Sequence, residues 1–594
     1  MSNERSVTAK TSGPSDRNTT HVAGIPALVS LLSFFYYLRH NDLLLYGDAV
    51  AHINIARRVF DSQTPGLLQL GTVWLPLPHL LMIPFIYLNA MWQSGAGGSI
   101  PSMVAYVLGV IGIFRLVRGL ATDLCRESVR ESESVATDLR QVQSKQSPAS
   151  SQHPNLAADI GAWAAAFAYG ANPNLIYMQA TAMTESIYLA LFIWAVVYFA
   201  EFIRALKAAG HLPEYLTERR MSDATVDRQS SRPLMRSAAC LAGAELTRYD
   251  GWFLAGVMGA AVAVIALQRW PDLALRRSAI KFLVAIALAP MLWLAYNAAV
   301  YGNALDFATG PYSAKAIEQR VGAPNPALHS APVAAIYFLK SAQLNMAEGN
   351  WGRFWLTAAI VALVIAFWKL RVQSASLLLL WVPFVFYALS IAYGSVPLHV
   401  YTWWPHVAFN QRYGLQLLPM FAVSAGILMA FVFLRAIRHG AKLTIIIFAL
   451  LIASYAFVSK AGPQCFTEAQ SNWDVRHNLN SEVQRVVTRL PRNSMYLMDI
   501  SEHVGIFEQA GIPLRQVVNN ENHRPWKRPT DPEGLWERTL ADPPRYVDFV
   551  IAFDGDAVDR SVNRSNLTEW LVIHASGQPH ARIYVARKTQ TQSR

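Results

Sequence analysis

Residues 46–61 read Tyr-Gly-Asp-Ala-Val-Ala-His-Ile-Asn-Ile-Ala-Arg-Arg-Val-Phe-Asp, and they follow the first long apolar run of the chain. Apolar side chains recur in this stretch at the spacing of one helix face: Ala49, Ile53, Ala56 and Phe60. Polar and charged side chains fill the other face: His52, Asn54, Arg57, Arg58 and Asp61. The pattern predicts an amphipathic helix, and its place beside an apolar run predicts that this helix lies on a membrane surface.

Long apolar blocks dominate the rest of the chain, which has 594 residues, 53% of them hydrophobic and 15% charged. Runs of roughly 17 to 25 apolar residues cross a bilayer as helices. A twelfth candidate run, 74–92, is interrupted by three prolines and is instead predicted to be an interfacial helix of the loop 40–98. Eleven runs therefore predict a mainly α, polytopic membrane protein: 22–39, 99–120, 156–172, 183–205, 237–249, 251–268, 279–300, 352–368, 374–392, 413–434 and 443–459.

Lysine and arginine are distributed unevenly between alternate loops. One set holds 19 of them in 89 residues: 122–155, 206–236, 269–281, 369–371 and 435–442. The other set holds 6 in 140 residues: 40–98, 173–183, 301–350 and 393–412. The positive-inside rule places the first set in the cytoplasm, so we expect a disordered cytoplasmic tail at 1–21 and an extracytoplasmic carboxyl terminus in the cell membrane. The net charge of +12 follows from this topology and from anionic lipids, so nucleic acid is not an expected partner.

Two predicted cytoplasmic loops, 122–155 and 206–236, are rich in Ser, Gln, Glu and Arg, and we interpret both as mobile or partly disordered connectors. After residue 460 the composition becomes that of a soluble domain, predicted at 460–594 as an extracytoplasmic α/β domain. Short β-rich runs alternate there with helical patterns. The runs are 494–500, 546–553 and 581–586, and the helical patterns are 482–490 and 531–540. A transporter driven by a P-loop ATPase is disfavoured, because the sequence has no phosphate-binding glycine motif.

Asp48 stands at the start of the amphipathic stretch, directly after Gly47. Aspartate is common at helix N-caps, where its carboxylate accepts a backbone hydrogen bond. Asp48 and His52 are four residues apart and share a helix face, so a general base with a polar partner is geometrically possible. Spacing alone favours capping and catalysis equally for Asp48. Arg57 and Asp61 are further site candidates, and Asp61 has the same capping alternative.

Three ionisable residues stand where predicted outer segments meet predicted spans. Glu185 begins the fourth span, where a carboxylate close to hydrocarbon is costly and often functional, although the macrodipole also favours such a charge at a helix N-terminus. Arg248 and Asp250 lie at the tip of a predicted hairpin, where simple pairing between them is at least as consistent with the sequence as a site role. Glu185 is therefore a candidate second acid, and the role of the other two stays open.

Arg412 is the one basic residue of the predicted outer loop 393–412 and stands at the mouth of a span. A guanidinium in this place either binds a lipid phosphate bidentately or anchors an interfacial aromatic belt. Lys315, in the predicted outer loop 301–350, is a second phosphate candidate, with a solvated loop charge as the simpler alternative. The outer histidines and carboxylates have no diagnostic ligand spacing, so metal dependence is undetermined.

Several motifs occur in order at predicted outer positions. They are Asp48-Ala49 followed by Leu70-Gly71-Thr72-Val73-Trp74-Leu75-Pro76-Leu77-Pro78-His79, then Met183-Thr184-Glu185-Ser186, Leu246-Thr247-Arg248-Tyr249-Asp250-Gly251, and Phe409-Asn410-Gln411-Arg412-Tyr413-Gly414 leading into Leu417-Leu418-Pro419. Together they resemble the GT-C superfamily of membrane glycosyltransferases, and more narrowly its protein mannosyltransferase and aminoarabinose transferase branch. The resemblance covers residues 22–459, and it rests on the order and common placement of the motifs.

Members of that superfamily transfer a sugar from a polyprenyl-phosphate carrier to an acceptor, using an acidic residue of the first outer loop. The resemblance therefore implies a catalytic transmembrane domain at 22–459 with Asp48 as the base, and it favours phosphate binding by Arg412, with Tyr413 beside it. The chain departs from the acidic pair that is common in the first loop of related transferases, because Ala49 follows Asp48. The identity of any second acid is thereby in doubt.

The sequence thus predicts a membrane transferase that moves a sugar from a polyprenyl-phosphate donor to an extracytoplasmic lipid, glycan or protein, by inverting displacement. The alternative is a secondary transporter or lipid flippase. Transporters usually show inverted repeats and polar residues near the membrane midplane, whereas the ionisable residues here gather in outer loops. A third interpretation is a structural assembly protein with an external interaction domain. The identities of the sugar and acceptor do not follow from the fold.

Overall fold

The computed structural model describes residues 16–140, 153–208, 223–310, 313–321, 325–394, 396–435, 439–522 and 531–586. Within these ranges the chain is mainly helical, with one small sheet near the carboxyl end. The predicted fold class, a polytopic helical membrane protein with an α/β region at its carboxyl end, is confirmed.

The amphipathic stretch forms a helix in the loop after the first span. The span is α1 (Asp16–His40), and the stretch is α2 (Gly47–Arg58). Two further helices, α3 (Leu77–Ile86) and α4 (Asn89–Gln93), follow in the same loop. α3 is apolar, but its 10 residues are too few to cross a bilayer as a helix. The loop therefore carries short helices and no span of its own, as the sequence predicted.

The helices of the membrane-spanning part continue to residue 461. Some of them are short connectors between the long ones. Their bounds are α5 (Ala96–Arg140), α6 (His153–Gly170), α7 (Pro173–Gln179), α8 (Glu185–Ala208), α9 (Asp223–Glu245), α10 (Tyr249–Gln268), α11 (Leu273–Tyr301), α12 (Asp306–Thr309), α13 (Ala314–Val321), α14 (Ala331–Met346), α15 (Gly349–Leu370), α16 (Ala375–Leu379), α17 (Val382–Tyr393), α18 (Leu418–Arg435) and α19 (Gly440–Ala461).

Nine helical segments within the described ranges are long and apolar enough to cross a membrane, and they coincide with nine of the eleven predicted runs. The other two runs, 156–172 and 237–249, fall in α6 and α9. α6 has 18 residues and is rich in alanine, and the first half of α9 is polar, so neither is among the nine. The predicted number of eleven spans is therefore not confirmed.

The centre of the bundle is formed by α5, α6, α8 and α18, with α6 packed between α5 and α18. Gly161 of α6 faces Gly426 of α18, and a Cβ at Gly161 would lie 2.6 Å from the carbonyl oxygen of Gly426. The two helices therefore touch backbone to backbone, as small residues allow in membrane bundles. Any side chain at either glycine would push the helices apart.

A second region begins with α20 (Gln464–Arg489), which follows α19 after a break at Gly462 and Pro463. The short helices beyond it are α21 (Gly505–Ala510), α22 (Leu535–Ala541), α23 (Pro543–Tyr546) and α24 (Ala557–Ser561). The strands are β1 (Tyr496–Leu497), β2 (Val517–Val518), β3 (Phe549–Phe553), β4 (Leu567–Ile573) and β5 (Ala581–Ala586).

The sheet of this region has the order β2-β1-β3-β5-β4. β1 pairs with β2 and β3 in parallel, whereas β5 pairs with β3 and β4 in the antiparallel sense. Each of the three predicted β-rich runs contains one strand. β2 and β4 were not predicted, because β2 has only two residues and β4 exposes much of its length to solvent.

The predicted amino-terminal tail at 1–21 is too long. α1 begins at Asp16, so the last six residues of that tail are helical, and residues 1–15 lie outside the described part of the chain. The reason is that a span does not end where the apolar run ends, because the helix continues into water as long as its residues tolerate helical geometry.

The same effect corrects the two predicted mobile connectors. α5 runs through the first part of the loop 122–155, as far as Arg140, and α9 covers the loop 206–236 from Asp223 onward. Glu, Arg and Gln are good helix formers, so their abundance there indicates helices that project beyond the membrane. The remaining parts of these connectors, 141–152 and 209–222, lie outside the described residues.

Candidate active site

Asp48 lies in the first turn of α2, but it does not cap the helix. The N-cap position belongs to Tyr46, whose side chain makes no capping hydrogen bond. The carboxylate of Asp48 instead pairs with Arg412, with 2.5 Å between Oδ2 and Nη2. These two residues are 364 positions apart in the chain, so the fold brings together two predicted site residues from opposite ends of the membrane-spanning part.

Arg412 lies in a 3₁₀ turn (Gln411–Leu417) that leads into α18, and it is surrounded by carboxylates. Its Nε is 3.3 Å from Oε1 of Glu185, and its Nη1 is 3.4 Å from Oε1 of Glu468. With Asp48 on Nη2, each nitrogen of the guanidinium has its own carboxylate. Side-chain exposure separates the four groups: 9% for Arg412, 1% for Glu185 and 6% for Glu468, but 39% for Asp48. Asp48 is therefore the acidic group of this cluster that faces open space.

Arg248 extends the cluster on its other side. Its Nη1 lies 3.1 Å from Oε1 of Glu185, the same oxygen that contacts Arg412, and its Nε lies 3.5 Å from Oδ1 of Asp250. Tyr387 links this pair, because its hydroxyl accepts from Arg248 at 2.9 Å and donates to Asp250 at 3.0 Å. The predicted pairing of Arg248 with Asp250 is thus present, and it forms part of the larger cluster.

Tyr413 lies between the two arginines. The guanidinium carbons of Arg248 and Arg412 are 5.2 Å and 5.3 Å from the centre of its ring, which are cation–π distances. The ring of Tyr46 lies 5.0 Å from the guanidinium carbon of Arg412. The rings of Tyr46 and Tyr413 therefore belong to the charged cluster, and a site role for Tyr413 stays a prediction.

The cluster contains more carboxylates than guanidinium groups. Two arginines, Arg248 and Arg412, face Asp48, Glu185, Asp250 and Glu468. Among the described atoms, Oε2 of Glu185 has no hydrogen-bond partner. Burying charge without full compensation costs free energy, so an arrangement of this kind is not explained by stability. It is typical of a site that uses its charges in chemistry.

His52 does not contact Asp48 in the way that its spacing suggested. It is buried, and its Nδ1 is joined by a hydrogen bond of 2.9 Å to Nε2 of His79, while its ring packs against Trp74. Burial, with a smaller effect from Arg412 and Arg248, lowers the pKa of His52 from 6.5 to about 3. The side chain is therefore a neutral imidazole that supports the loop around α3 rather than a partner of Asp48.

Arg57 and Asp61 form a separate pair at the other end of α2. Nε of Arg57 lies 2.8 Å from Oδ2 of Asp61, and both side chains are almost fully buried. The guanidinium also donates to the carbonyl oxygen of Ile86 and to the side chain of Asn89. Both predicted site candidates therefore hold the loop together, and neither reaches the cluster around Arg412 in the described structure.

Lys315 lies on α13 and is exposed to solvent. Within the ranges that the structure describes, no hydrogen bond or ion pair joins it to the cluster around Arg412. Phosphate binding by Lys315 stays a prediction. No group of three or more His, Cys, Asp or Glu side chains in those ranges is placed to hold a metal ion, and the question of metal dependence stays open.

Sequence reasoning missed the contribution of α20. Glu468 of this helix pairs with Arg412, and it also accepts the backbone N–H of Asn410 at 2.7 Å. The helix carries Cys465, Glu468, Asn472 and Arg476 at intervals of three and four residues, which places all four on one face. That spacing was available in the sequence, but nothing in it indicated that the face turns toward the membrane part.

Comparisons with known proteins address the fold. No family model and no curated protein match the sequence. The crystal structure of ArnT from Cupriavidus metallidurans bound to undecaprenyl phosphate is similar over 96% of this chain and 100% of that chain, with a TM-score of 0.51 and 11% identity. The chain therefore shares the fold of ArnT. The apo form of ArnT is similar over 96% and 99% of the two chains, with a TM-score of 0.50 and 10% identity.

A third solved structure is also similar. It is the apo crystal structure of the oligosaccharyltransferase from Archaeoglobus fulgidus, which covers 91% of this chain and 70% of that chain with a TM-score of 0.44 and 12% identity. At 10 to 12% identity, the similarity is one of fold.

Proposed function

We propose that this protein is a membrane glycosyltransferase, which moves a sugar from a polyprenyl-phosphate donor to a hydroxyl group of an extracytoplasmic lipid, glycan or protein. One observation carries the proposal. A carboxylate with 39% exposure, Asp48, is held at the mouth of a cluster of otherwise buried charges by the guanidinium of Arg412. The GT-C fold and the undecaprenyl phosphate bound to ArnT support a lipid-phosphate donor.

In the proposed reaction Asp48 is the general base. It removes the proton of the acceptor hydroxyl while that oxygen attacks the anomeric carbon of the donor sugar. The bond between the anomeric carbon and the phosphate oxygen breaks, the bonding electrons leave with the phosphate, and the anomeric configuration inverts. The polyprenyl phosphate is already a good leaving group, so the reaction does not need a second acid to protonate it.

Arg412 orients Asp48 in this scheme. The contacts with Glu185 and Glu468 fix the guanidinium that holds the carboxylate of Asp48. Binding of the donor phosphate by Arg412 stays a prediction. Each of its nitrogens already lies within ion-pair distance of a carboxylate, so a phosphate would share the guanidinium with these carboxylates or replace one of them.

Transport or lipid flipping is the second candidate, and the positions of the charges disfavour it. Glu185 begins α8, Arg248 immediately precedes α10, and Arg412 precedes α18, so the cluster lies at helix ends. Coupling residues of secondary transporters lie near the bilayer midplane. A structural assembly role does not require a partly exposed carboxylate held by a buried arginine.

The test uses purified protein in proteoliposomes supplied with a panel of polyprenyl-phosphate sugars, each radiolabelled in the sugar. We expect labelled sugar to leave the lipid phase, as product or by slow transfer to water, with at least one donor. This release should depend on Asp48. If donors cross the bilayer without losing their sugar, the result would support a flippase. If every donor of the panel stays intact and on its original side, the result would contradict the transferase.

Orientation is tested separately, by thiol labelling in intact cells. A cysteine introduced at Asn563, in the carboxyl-terminal region, should react with a membrane-impermeant reagent after the three native cysteines are removed. A cysteine at Lys442, in a predicted cytoplasmic loop, should be protected. The reverse pattern would place the Asp48 cluster on the cytoplasmic side and would contradict the extracytoplasmic acceptor.

A further inference from the structure

The N-terminus of α2 has no cap of its own, and α20 supplies one. An α-helix begins with backbone N–H groups that lack intrahelical partners. The side chain of Tyr46, at the N-cap position, does not accept any of them. Instead Oδ1 of Asn472 accepts the N–H of Gly47 at 2.7 Å, although the two residues are 425 positions apart. The first turn of α2, which carries Asp48, is therefore capped by another helix.

Arg476 completes this cap from one turn further along α20. Its Nη1 donates to Oδ1 of Asn472 at 3.0 Å, and its Nη2 donates to the carbonyl oxygens of Leu45 at 2.8 Å and Leu44 at 3.2 Å. One guanidinium thus ties the capping amide to the backbone that enters α2. No carboxylate of the described residues lies within ion-pair distance of Arg476, although the charges of Asp48 and Glu508 are close enough to act on it.

Gly47 shows how closely the arginine approaches. A Cβ at this position would overlap Nη1 of Arg476 and would lie 3.3 Å from Oδ1 of Asn472. Any residue other than glycine therefore displaces the guanidinium from its carbonyls. Gly47 and Arg476 both line a small cavity of about 30 Å³, which a shorter side chain at position 476 would enlarge.

We propose that Asn472 and Arg476 are positioning residues for Asp48, which act by fixing the first turn of α2. The inference rests on the proposed function, because it concerns the placement of the proposed base. The same face of α20 carries Glu468, which binds Arg412, so one helix holds both members of the Asp48–Arg412 pair. Misplacing a catalytic group by about 1 Å can cost roughly 100-fold in rate.

The first experiment compares Arg476→Gln with Arg485→Gln, an exposed arginine of the same helix that pairs with Glu482. We expect Arg476→Gln to lower kcat by roughly 10- to 100-fold and to change the donor KM by less than about twofold. Arg485→Gln should leave both constants unchanged. Hydrogen exchange of residues 44–50 should become faster in Arg476→Gln alone, and this measurement requires no activity.

A double-mutant cycle then separates positioning from a general loss of structure. Gly47→Ala should lower kcat about as much as Arg476→Ala, because the new Cβ displaces the guanidinium. In the Arg476→Ala background Gly47→Ala should add less than about twofold, since the clash no longer exists. Fully additive effects would overturn the inference.

The outcomes also separate this inference from the proposed function. An active wild-type enzyme that requires Asp48, together with wild-type kcat in Arg476→Gln, would overturn the positioning role alone. Failure of the wild type to release sugar from any donor would count against the transferase, and exchange at residues 44–50 would still decide whether Arg476 fixes α2. Unchanged exchange in Arg476→Gln would overturn the inference in that case too.

Discussion

The two ends of α2 each carry an aspartate–arginine pair, and the pairs differ in one respect that matters for function. At the start of the helix the Asp48 side chain is 39% exposed, whereas at its end the Asp61 side chain is 3% exposed. Arg412 reaches Asp48 from a distant turn and also contacts Glu185 and Glu468. Arg57 lies on α2 itself, and its partner Asp61 follows the end of the helix, four residues further along the chain.

The surroundings of the two arginines explain the difference. Arg57 donates to backbone carbonyls and to Asn89, and its guanidinium lies 4.6 Å from the ring of Trp92. Asp61 accepts in addition from the backbone N–H of Arg515. This pair is satisfied within the protein, as a buried pair has to be for stability. The Asp48 pair keeps one carboxylate accessible, which is what a substrate requires.

The largest expected effect is the loss of activity in Asp48→Asn. Asparagine keeps the shape of the side chain but removes its charge and its basicity. We expect sugar transfer to fall by at least ~100-fold, the lower end of what general acid–base catalysis contributes, with a normal amount of folded protein in the membrane. Near-native activity would reduce the Asp48–Arg412 pair to a structural contact, like the pair at the other end of the helix.

Asp61→Asn should have the opposite profile. It leaves the buried charge of Arg57 without its partner, which typically costs about 3 kcal/mol of unfolding free energy or more. We expect a clearly lower thermal unfolding midpoint in detergent, with a turnover per folded molecule close to that of the wild type. A large fall in turnover with an unchanged midpoint would contradict a purely structural role for Asp61.

Arg412→Lys sharpens the role of the arginine at the first end. Lysine keeps the charge but lacks the three separate nitrogens that meet Asp48, Glu185 and Glu468. We expect kcat to fall roughly tenfold, which corresponds to about 1.4 kcal/mol, while the apparent KM for the donor stays the same. A raised donor KM with unchanged kcat would instead support the phosphate-binding role that the sequence predicted.

Much of this organisation could be read from the sequence, and the limits have physical causes. Apolar runs identified nine candidate spans, because the bilayer imposes length and hydropathy on them. Whether α6 and α9 cross the membrane is harder to predict from sequence. α6 is rich in alanine and α9 is partly polar, so packing against neighbouring helices and not hydropathy decides where they lie. Asp48, Glu185, Arg248, Asp250, Arg412 and Tyr413 were all identified as candidates, and the structure brings them into one cluster.

The partners of these candidates were less predictable. The distance of 364 residues between Asp48 and Arg412 gives no local signal, so the sequence assigned Arg412 to a phosphate and not to an aspartate. Glu468, Asn472 and Arg476 lie on a helix whose polar composition resembles that of a solvated surface. His52 shares a face with Asp48, but burial against His79 and Trp74 decided its contacts. Long-range packing sets each of these outcomes.

The middle of α2 gives a prediction on pH. Burial lowers the pKa of His52 from 6.5 to about 3, and it lowers the pKa of its partner His79 as well. As the pH falls below 6.5, these histidines become protonated in the unfolded state but stay neutral in the folded state, where His52 is protonated only near pH 3. Protonation therefore favours the unfolded state, and the free energy of unfolding decreases as the pH falls through this window. The slope is up to about 1.4 kcal/mol per pH unit for each such group.

Thermal unfolding midpoints at pH 7 and pH 5 measure this slope. The positive groups that face His52 are Arg412 and Arg248, and both stay charged throughout the range. Burial also lowers the pKa of His503 to about 4 and raises that of Asp556 to about 6, so the contribution of His52 is the difference in slope between the wild type and His52→Gln. We expect His52→Gln to flatten the dependence, whereas the exposed His574, replaced by Gln, should not alter it. An equally steep dependence in His52→Gln would show that acid acts elsewhere in the molecule.

The smallest expected effect is that of Lys315→Gln. This variant tests whether Lys315 binds the donor phosphate while the ion pair between Asp48 and Arg412 stays intact. Arg412 already faces three carboxylates, so Lys315, an exposed lysine on the predicted outer side, is tested as a second group that attracts the phosphate. An exposed charge contributes at most about 1 kcal/mol, so Lys315→Gln should raise the donor KM by no more than about fivefold and leave kcat unchanged. Salt screens such an attraction, so the difference from wild type should shrink as ionic strength rises.

Lys442→Gln, on the opposite predicted side, is the matched control. A donor KM that is identical in wild type and Lys315→Gln at low salt would remove Lys315 from the site and leave the phosphate to Arg412 after one of its carboxylates is displaced.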